Sequence, residues 1–327
     1  MIRPKIGFQI PCRLPAPEIA VFAKSVERAG FDEVWVVEDC FFAGGIAASA
    51  TALAATEHIT VGIGILPAVA RNAAFTAMEV ATLAEMHPGR LSCGLGHGMR
   101  DWMRQIGAAP ASPLSALGEH LDAVRRLLTG EEVTVRGRYV RLDQVALEFP
   151  PRQPPPVIAG VRGPKSLEVA GRYADGTLLA EPVTPAYLAA ARASIERGQG
   201  GDRRPHPITA YALCHLDEDA ATARDAVRPV LAAAITHPAW SAHLDPLGLA
   251  GQLAQIAALP EAERAAAVPD SWVDELAVVG TPADCVRRIR ELHDAGADSV
   301  VLSAVGDLRT QLDRAAAMVG MLTDTRS

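Results

Sequence analysis

Residues Ile59–Gly98, ITVGIGILPAVARNAAFTAMEVATLAEMHPGRLSCGLGHG, decide the fold. They open with the β-branched run Ile59–Leu66, pass through Ala74–His87, where apolar residues recur at helical spacing, and return to a short apolar run at Arg90–Gly96. Strand, helix and strand in that order make a unit whose two strands lie parallel, because the helical crossover brings the chain back to the same end.

The alternation continues outward on both sides. Strands are predicted at Lys5–Ile10, Glu33–Val37, Ile59–Leu66, Arg90–Gly96, Pro156–Val161, Gly176–Ala180, Ile208–His215 and Asp298–Ser303. Each precedes a predicted helix: Ala16–Ala29, Ile46–Glu57, Ala74–His87, Pro113–Thr129, Pro164–Ala174, Thr184–Arg197, Asp217–Thr236 and Gly306–Leu322. Eight such units predict an α/β fold, a (β/α)8 TIM barrel, in one domain over residues 1–327. The rival doubly wound sheet should open with GxGxxG after its first strand, and Phe8–Leu14 offers no such turn.

Three segments exceed a minimal barrel. Val133–Phe149 alternates in polarity with Gly137 at its turn, which predicts a β-hairpin inserted before strand five. The proline-dense Phe149–Pro156 predicts a rigid connector. His237–Ala277 predicts a helical insertion ahead of the last barrel helix, Pro282–Ala295, and strand eight, placed to cover the barrel mouth.

Composition removes several functional classes. The chain is 49% hydrophobic and 21% charged, far from the regime that stays disordered. Lys+Arg 31 against Asp+Glu 38 gives a net charge of -7, the wrong sign for binding a phosphate backbone. Cys12, Cys40, Cys93, Cys214 and Cys285 are odd in number and scattered, with no CxxC pair and no His at zinc-ligand spacing. A reduced, cytoplasmic, metal-free protein is expected. The start, MIRPKIGFQIPCR, lacks the apolar core of a signal peptide, and Cys40–Thr56 falls short of the ~18 strongly apolar residues of a membrane span. The expected partner is a small molecule, with neither nucleic acid nor membrane.

Barrel enzymes work at the C-terminal ends of their strands, so the candidates are few. Gly94-x-Gly96-x-Gly98 leaves three positions without side chains, which either admits a flat ligand or simply makes a tight turn. Pro164 opens a helix whose free amides can hold an anion beside Lys165. Glu38, Asp39, His97 and Glu181 are polar groups at strand ends, able to relay a proton if suitably tuned. A salt bridge, a helix cap or a satisfied turn accounts for them equally well. Gln9, Cys12, Cys40 and Trp102 are candidates for the substrate pocket. No GxSxG elbow is present, and Lys5 and Lys24 are badly placed for Schiff-base chemistry.

Four segments together resemble the luciferase-like monooxygenase superfamily: Ala29–Asp39 (AGFDEVWVVED), Ile59–Gly98, Pro154–Glu181 (PPPVIAGVRGPKSLEVAGRYADGTLLAE) and Val279–Leu302 (VGTPADCVRRIRELHDAGADSVVL). The resemblance spans nearly the whole chain. It implies a TIM barrel, commonly a homodimer, that uses reduced FMN or the deazaflavin F420 to oxidise or reduce small organic molecules. It further implies that Gly64 and Ile65 form a bulge, with a non-proline cis peptide, behind the cofactor ring, with Leu66 beside them. Gly96, His97 and Gly98 would lie near the ring or its ribityl chain. Gly163, Pro164 and Lys165 would meet the phosphate, with Gly160 and Val161 adjoining. This chain departs from the family where a histidine is usual, having Glu38-Asp39-Cys40 after strand two and Arg71-Asn72 after strand three.

Two activities stay open, F420-dependent hydride transfer and FMNH2-dependent monooxygenation. The alternative is a non-catalytic flavin- or F420-binding barrel. Lysine occurs only as Lys5, Lys24 and Lys165 amid abundant arginine and alanine, the mark of a GC-rich coding sequence, where the deazaflavin is frequent. Arg71, Arg100, Arg104 and Arg162 near the mouth either meet its acidic tail or are simply solvated.

Overall fold

Eight parallel strands close on themselves in the computed structural model, which describes residues 4–202 and 204–323. The strands are β1 (Lys5–Ile10), β2 (Glu33–Val36), β3 (Thr60–Pro67), β4 (Leu91–Gly96), β5 (Val133–Arg136), β6 (Arg141–Val145), β7 (Val157–Gly160), β8 (Gly176–Leu179), β9 (Ile208–Leu216), β10 (Val278–Gly280) and β11 (Ser299–Ala304). The ring runs β9-β11-β1-β2-β3-β4-β7-β8 and returns to β9, the barrel that the alternation predicts. The first helices are α1 (Ile19–Arg28), α2 (Gly45–Ala55), α3 (Ala73–Met86), α4 (Arg100–Gln105), α5 (Pro113–Leu128), α6 (Pro164–Tyr173) and α7 (Pro185–Gln199). After them come α8 (Ala220–Ile235), α9 (Ser241–Leu244), α10 (Ala250–Ala258), α11 (Glu261–Ala267), α12 (Asp270–Leu276), α13 (Pro282–Asp294) and α14 (Leu308–Thr323).

Short strands such as Glu33–Val36 and Gly176–Leu179 are buried at every position, as strands covered on both faces must be. Their outward side chains pack against the helices in one large core, and the inward ones fill the barrel. The filling is Trp35, Ile158, Leu178, Tyr211 and Val301. Trp35 is too large for its neighbours to carry side chains: a Cβ on Gly62 would lie 2.3 Å from its ring. Its indole N–H donates to Glu33 at 2.8 Å, and the same carboxylate oxygen accepts from the Ser299 hydroxyl at 2.8 Å, so the buried acid is satisfied. The Trp35 ring stands edge-on to Tyr211, with centroids 5.9 Å apart. Trp35 and Tyr211 thus plug the barrel and leave its upper end for a ligand.

Two departures from expectation have simple causes. The strand β10 falls outside the predicted set because its three residues are too few to show a period. It pairs with Cys214–Leu216, the part of β9 that extends past the residues paired with β8. The hairpin β5–β6 is shorter than Val133–Phe149 and ends at Val145. Its turn is held by Glu119 of α5, whose carboxylate accepts the backbone N–H groups of Arg138, Tyr139 and Val140. The segment 237–277 is helical as expected, containing α9 to α12 and sharing an apolar cluster with α8. Among the described residues no helix is long and apolar enough to cross a membrane.

Candidate active site

A cavity of ≈ 710 Å³ opens at the C-terminal ends of the strands. That is a common size for a small-molecule site. A smaller one of ≈ 400 Å³ lies at the opposite end, beside the mutually paired Arg125 and Asp175, where barrels do not do chemistry.

Leu178 and Tyr211 form the cavity floor, and the β3 bulge forms one wall. The β3–β4 register shifts between Ile63 and Leu66, and the Gly64–Ile65 peptide is cis, as the family resemblance implies. The bulge turns the Ile65 side chain across β4 and β7. A Cβ on Gly160 would lie 2.3 Å from it, one on Gly96 3.0 Å from it, and one on Gly94 2.2 Å from the Ile63 carbonyl oxygen. The glycines at 94, 96 and 160 therefore make room for the bulge, and Ile65 fills the space a ligand would need for close approach. Of the three glycines 94, 96 and 98, only Gly98 lines the cavity, with φ 69°. Leu66 is fully buried, and its side chain packs against the start of α2 at Gly45.

The four candidate proton-relay residues separate by their partners. Glu38 receives Arg71 through both guanidinium nitrogens at 2.6 Å each, and it also accepts the backbone N–H of Gly45, the first residue of α2. It lines the cavity, yet its oxygens serve a salt bridge and a helix start. Asp39 accepts the Cys12 thiol at 3.4 Å. Burial and then the Asp39 charge push that thiol up to about 11, so Cys12 presents a neutral surface. Glu181 lines the cavity near Arg162, and its peptide bond to Pro182 is cis. Burial raises its pKa above the ordinary carboxylate value, with Asp39 adding to the effect and Arg162 opposing it. His97 is engaged on both sides: its Nε2 faces the Ser166 hydroxyl at 2.9 Å, and the ring also bonds the Pro113 carbonyl. Burial lowers its pKa, and the imidazole joins the end of β4 to α5 and α6.

Gln9, Cys12, Gly160, Val161 and Trp102 also line the cavity, whereas Cys40, Gly163, Pro164 and Lys165 do not. The ammonium of Lys165 is exposed and paired with Glu168 at 2.8 Å. It is Ser166, third in α6, that the first helical turn brings to the cavity. Trp102 stands on α4 with Met103 buried behind it, against Gly98. Of the four rim arginines, Arg71 is taken by Glu38 and Arg104 by Asp101, while Arg100 and Arg162 line the cavity.

Sequence reading misses Tyr211, Ser166 and Trp240. Tyr211 sits inside an apolar strand, and only the barrel register shows that it points inward. Trp240 comes from the helical insertion. Its indole N–H donates to the Glu181 carbonyl at 2.6 Å, and the Arg162 guanidinium lies 4.7 Å over its ring. His243 secures the same segment through a 2.8 Å bond to the Pro182 carbonyl. Arg162 Nη1 and the Tyr211 hydroxyl are buried without a hydrogen-bond partner. A flat ligand in this cavity meets an apolar wall at Ile65 and the unused hydroxyl hydrogen of Tyr211, which suits a heteroaromatic group with a polar edge.

Residues 8–299 match the model of a family described as luciferase-like monooxygenase. The 5,10-methylenetetrahydromethanopterin reductase of Methanolobus tindarius is 33% identical over 88% of this chain and 90% of its own length. An F420-dependent glucose-6-phosphate dehydrogenase of Intrasporangium calvum is 27% identical over 93% of each chain. The structure of the coenzyme F420 dependent tetrahydromethanopterin reductase from Methanopyrus kandleri superposes with a TM-score of 0.85 at 22% identity, covering 98% of this chain and 100% of that one.

Proposed function

We infer that this chain, which belongs to the luciferase-like monooxygenase family, is an F420-dependent oxidoreductase acting on a small organic substrate. The observation that carries this reading is the ≈ 710 Å³ cavity at the strand ends, where the Ile65 bulge, the unpartnered Tyr211 hydroxyl and the Glu181 carboxyl meet. The relative from I. calvum, named as F420-dependent and similar over 93% of its length, supports the deazaflavin over FMN. When bound, the deazaflavin supplies two-electron hydride transfer, and the protein supplies binding, orientation and exclusion of water.

Each residue has a distinct task. Ile65, backed by glycines, gives the ring a rigid apolar support, and Tyr211 offers its hydroxyl from the floor. Glu181 is the acid/base: burial, aided by Asp39, raises its pKa, which moves a carboxyl beside the cavity toward the range in which it can exchange a proton with substrate. Asp39 tunes Glu181, and His97 positions Ser166. Glu38 and Arg71 fix the entry to α2. Trp102 and Trp240, both lining the cavity, exclude water from it.

The protein acts as a homodimer in the cytoplasm. Phe75, Met78 and Met86 are exposed along one stripe of α3, and Phe41 and Phe42 are exposed ahead of α2, a surface suited to a second copy. All five cysteines are free thiols, in keeping with a reducing compartment.

Titrating the purified protein with F420 and with FMN tests the cofactor. Saturable quenching of F420 fluorescence at one equivalent per chain is expected. Tight FMN retention without F420 binding would overturn the assignment.

A further inference from the structure

We propose that Arg162, stacked on Trp240, is the recognition site for an anionic group of the substrate, a carboxylate or a phosphate. The inference rests on reading the cavity as the active site.

Arg162 stands just beyond β7 and is held from two directions. Its guanidinium lies 4.7 Å over the Trp240 ring, and Trp240 is itself fixed to the Glu181 carbonyl at 2.6 Å. Its backbone carbonyl accepts the Tyr187 hydroxyl at 2.7 Å. A guanidinium set in one plane before a ligand arrives loses little freedom on forming a forked pair with an oxyanion.

What it lacks is a counter-ion. Other partly buried arginines are satisfied, Arg71 by Glu38, Arg125 by Asp175, Arg288 by Glu291 and Arg314 by Asp217, and Arg90 and Arg264 by backbone carbonyls. Among the described residues no carboxylate forms an ion pair with Arg162, and its Nη1 is buried with no acceptor. An unpaired cation in a closed wall is unfavourable, so a site that keeps one gains most from an arriving anion. The acid whose field reaches it, Glu181, is itself pushed toward its neutral form by burial. The pocket therefore keeps a positive end beneath Trp240, with the Glu181 carboxyl next to it. A carboxylate or phosphate gripped by Arg162 would hold the remainder of the substrate over Glu181.

F420 is also anionic, so the test separates the two sources. The F420-saturated protein is titrated with acetate, inorganic phosphate and the neutral acetamide, following F420 fluorescence and thermal stability. Acetate or phosphate should bind saturably, and acetamide should not. Arg162→Met should weaken anion binding by about tenfold or more, the worth of a charge-assisted pair, and leave F420 affinity within about twofold. Trp240→Phe should keep anion binding and Trp240→Ala should weaken it, which secures the result if Arg162→Met folds poorly. Equal binding of acetate and acetamide, or a loss of F420 affinity matching the loss of anion affinity, would overturn the inference. If the wild type took up no F420 yet still bound acetate through Arg162, the cofactor reading alone would fail.

Discussion

Glu38, just past β2, and Glu181, just past β8, are the same residue type at strand ends on opposite sides of the barrel ring, and their surroundings give them opposite roles. Glu38 has a bidentate arginine and a backbone N–H, whereas Glu181 has a desolvating wall and the nearby Asp39 charge. The difference sets a pH signature. Because burial raises the folded-state pKa of Glu181, its favourable contribution is complete below the ordinary carboxylate range and is lost as pH rises through the raised value. Glu181→Gln should therefore match the wild type in Tm near pH ~4 and exceed it increasingly toward neutrality. An unchanged difference across that range would show that Glu181 is not desolvated. The same variant should lose roughly 10²-fold in kcat with F420 affinity retained, since an acid/base group acts in the chemical step. Sequence places both glutamates at the mouth, but it cannot rank them, because Arg71 lies 33 positions from Glu38 along the chain and meets it only through the fold.

The β3 bulge couples three strands into one unit. Ile65 occupies the space that Gly96 and Gly160 leave, and the Ile63 carbonyl oxygen takes the space at Gly94. Gly160→Ala should cost about 1–3 kcal/mol by overpacking, and Ile65→Ala in the same chain should recover part of that loss. Denaturant melts of the two single variants and the double variant measure the coupling, and strict additivity would contradict the packing. All eight barrel strands are legible as apolar runs between helical periods, because burial on both faces makes each run continuous. The glycine run is also legible, but its purpose is not, since the atom that fills the gap comes from a different strand. Lys165 misleads for the opposite reason: its charge stands out in the sequence, and in the fold Glu168, one helical turn on, claims it.

Across the whole molecule, the insertion 237–277 and the exposed stripe of α3 each extend the barrel's function. The insertion contributes Trp240 to the cavity and ties itself down at Glu181 and Pro182. The apolar face of α3 should associate two copies, so light scattering is expected to report a dimer for the wild type and a monomer for Phe75→Glu with Met78→Glu. A monomeric wild type would remove the proposed interface. The central claim, that the cavity above Trp35 and Tyr211 is a deazaflavin site, is tested most directly by a crystal structure of the protein soaked with F420. The deazaflavin ring should lie in the ≈ 710 Å³ cavity against Ile65 with Glu181 on the open side. A ring bound elsewhere on the barrel, or a cavity without cofactor at saturating F420, would contradict it.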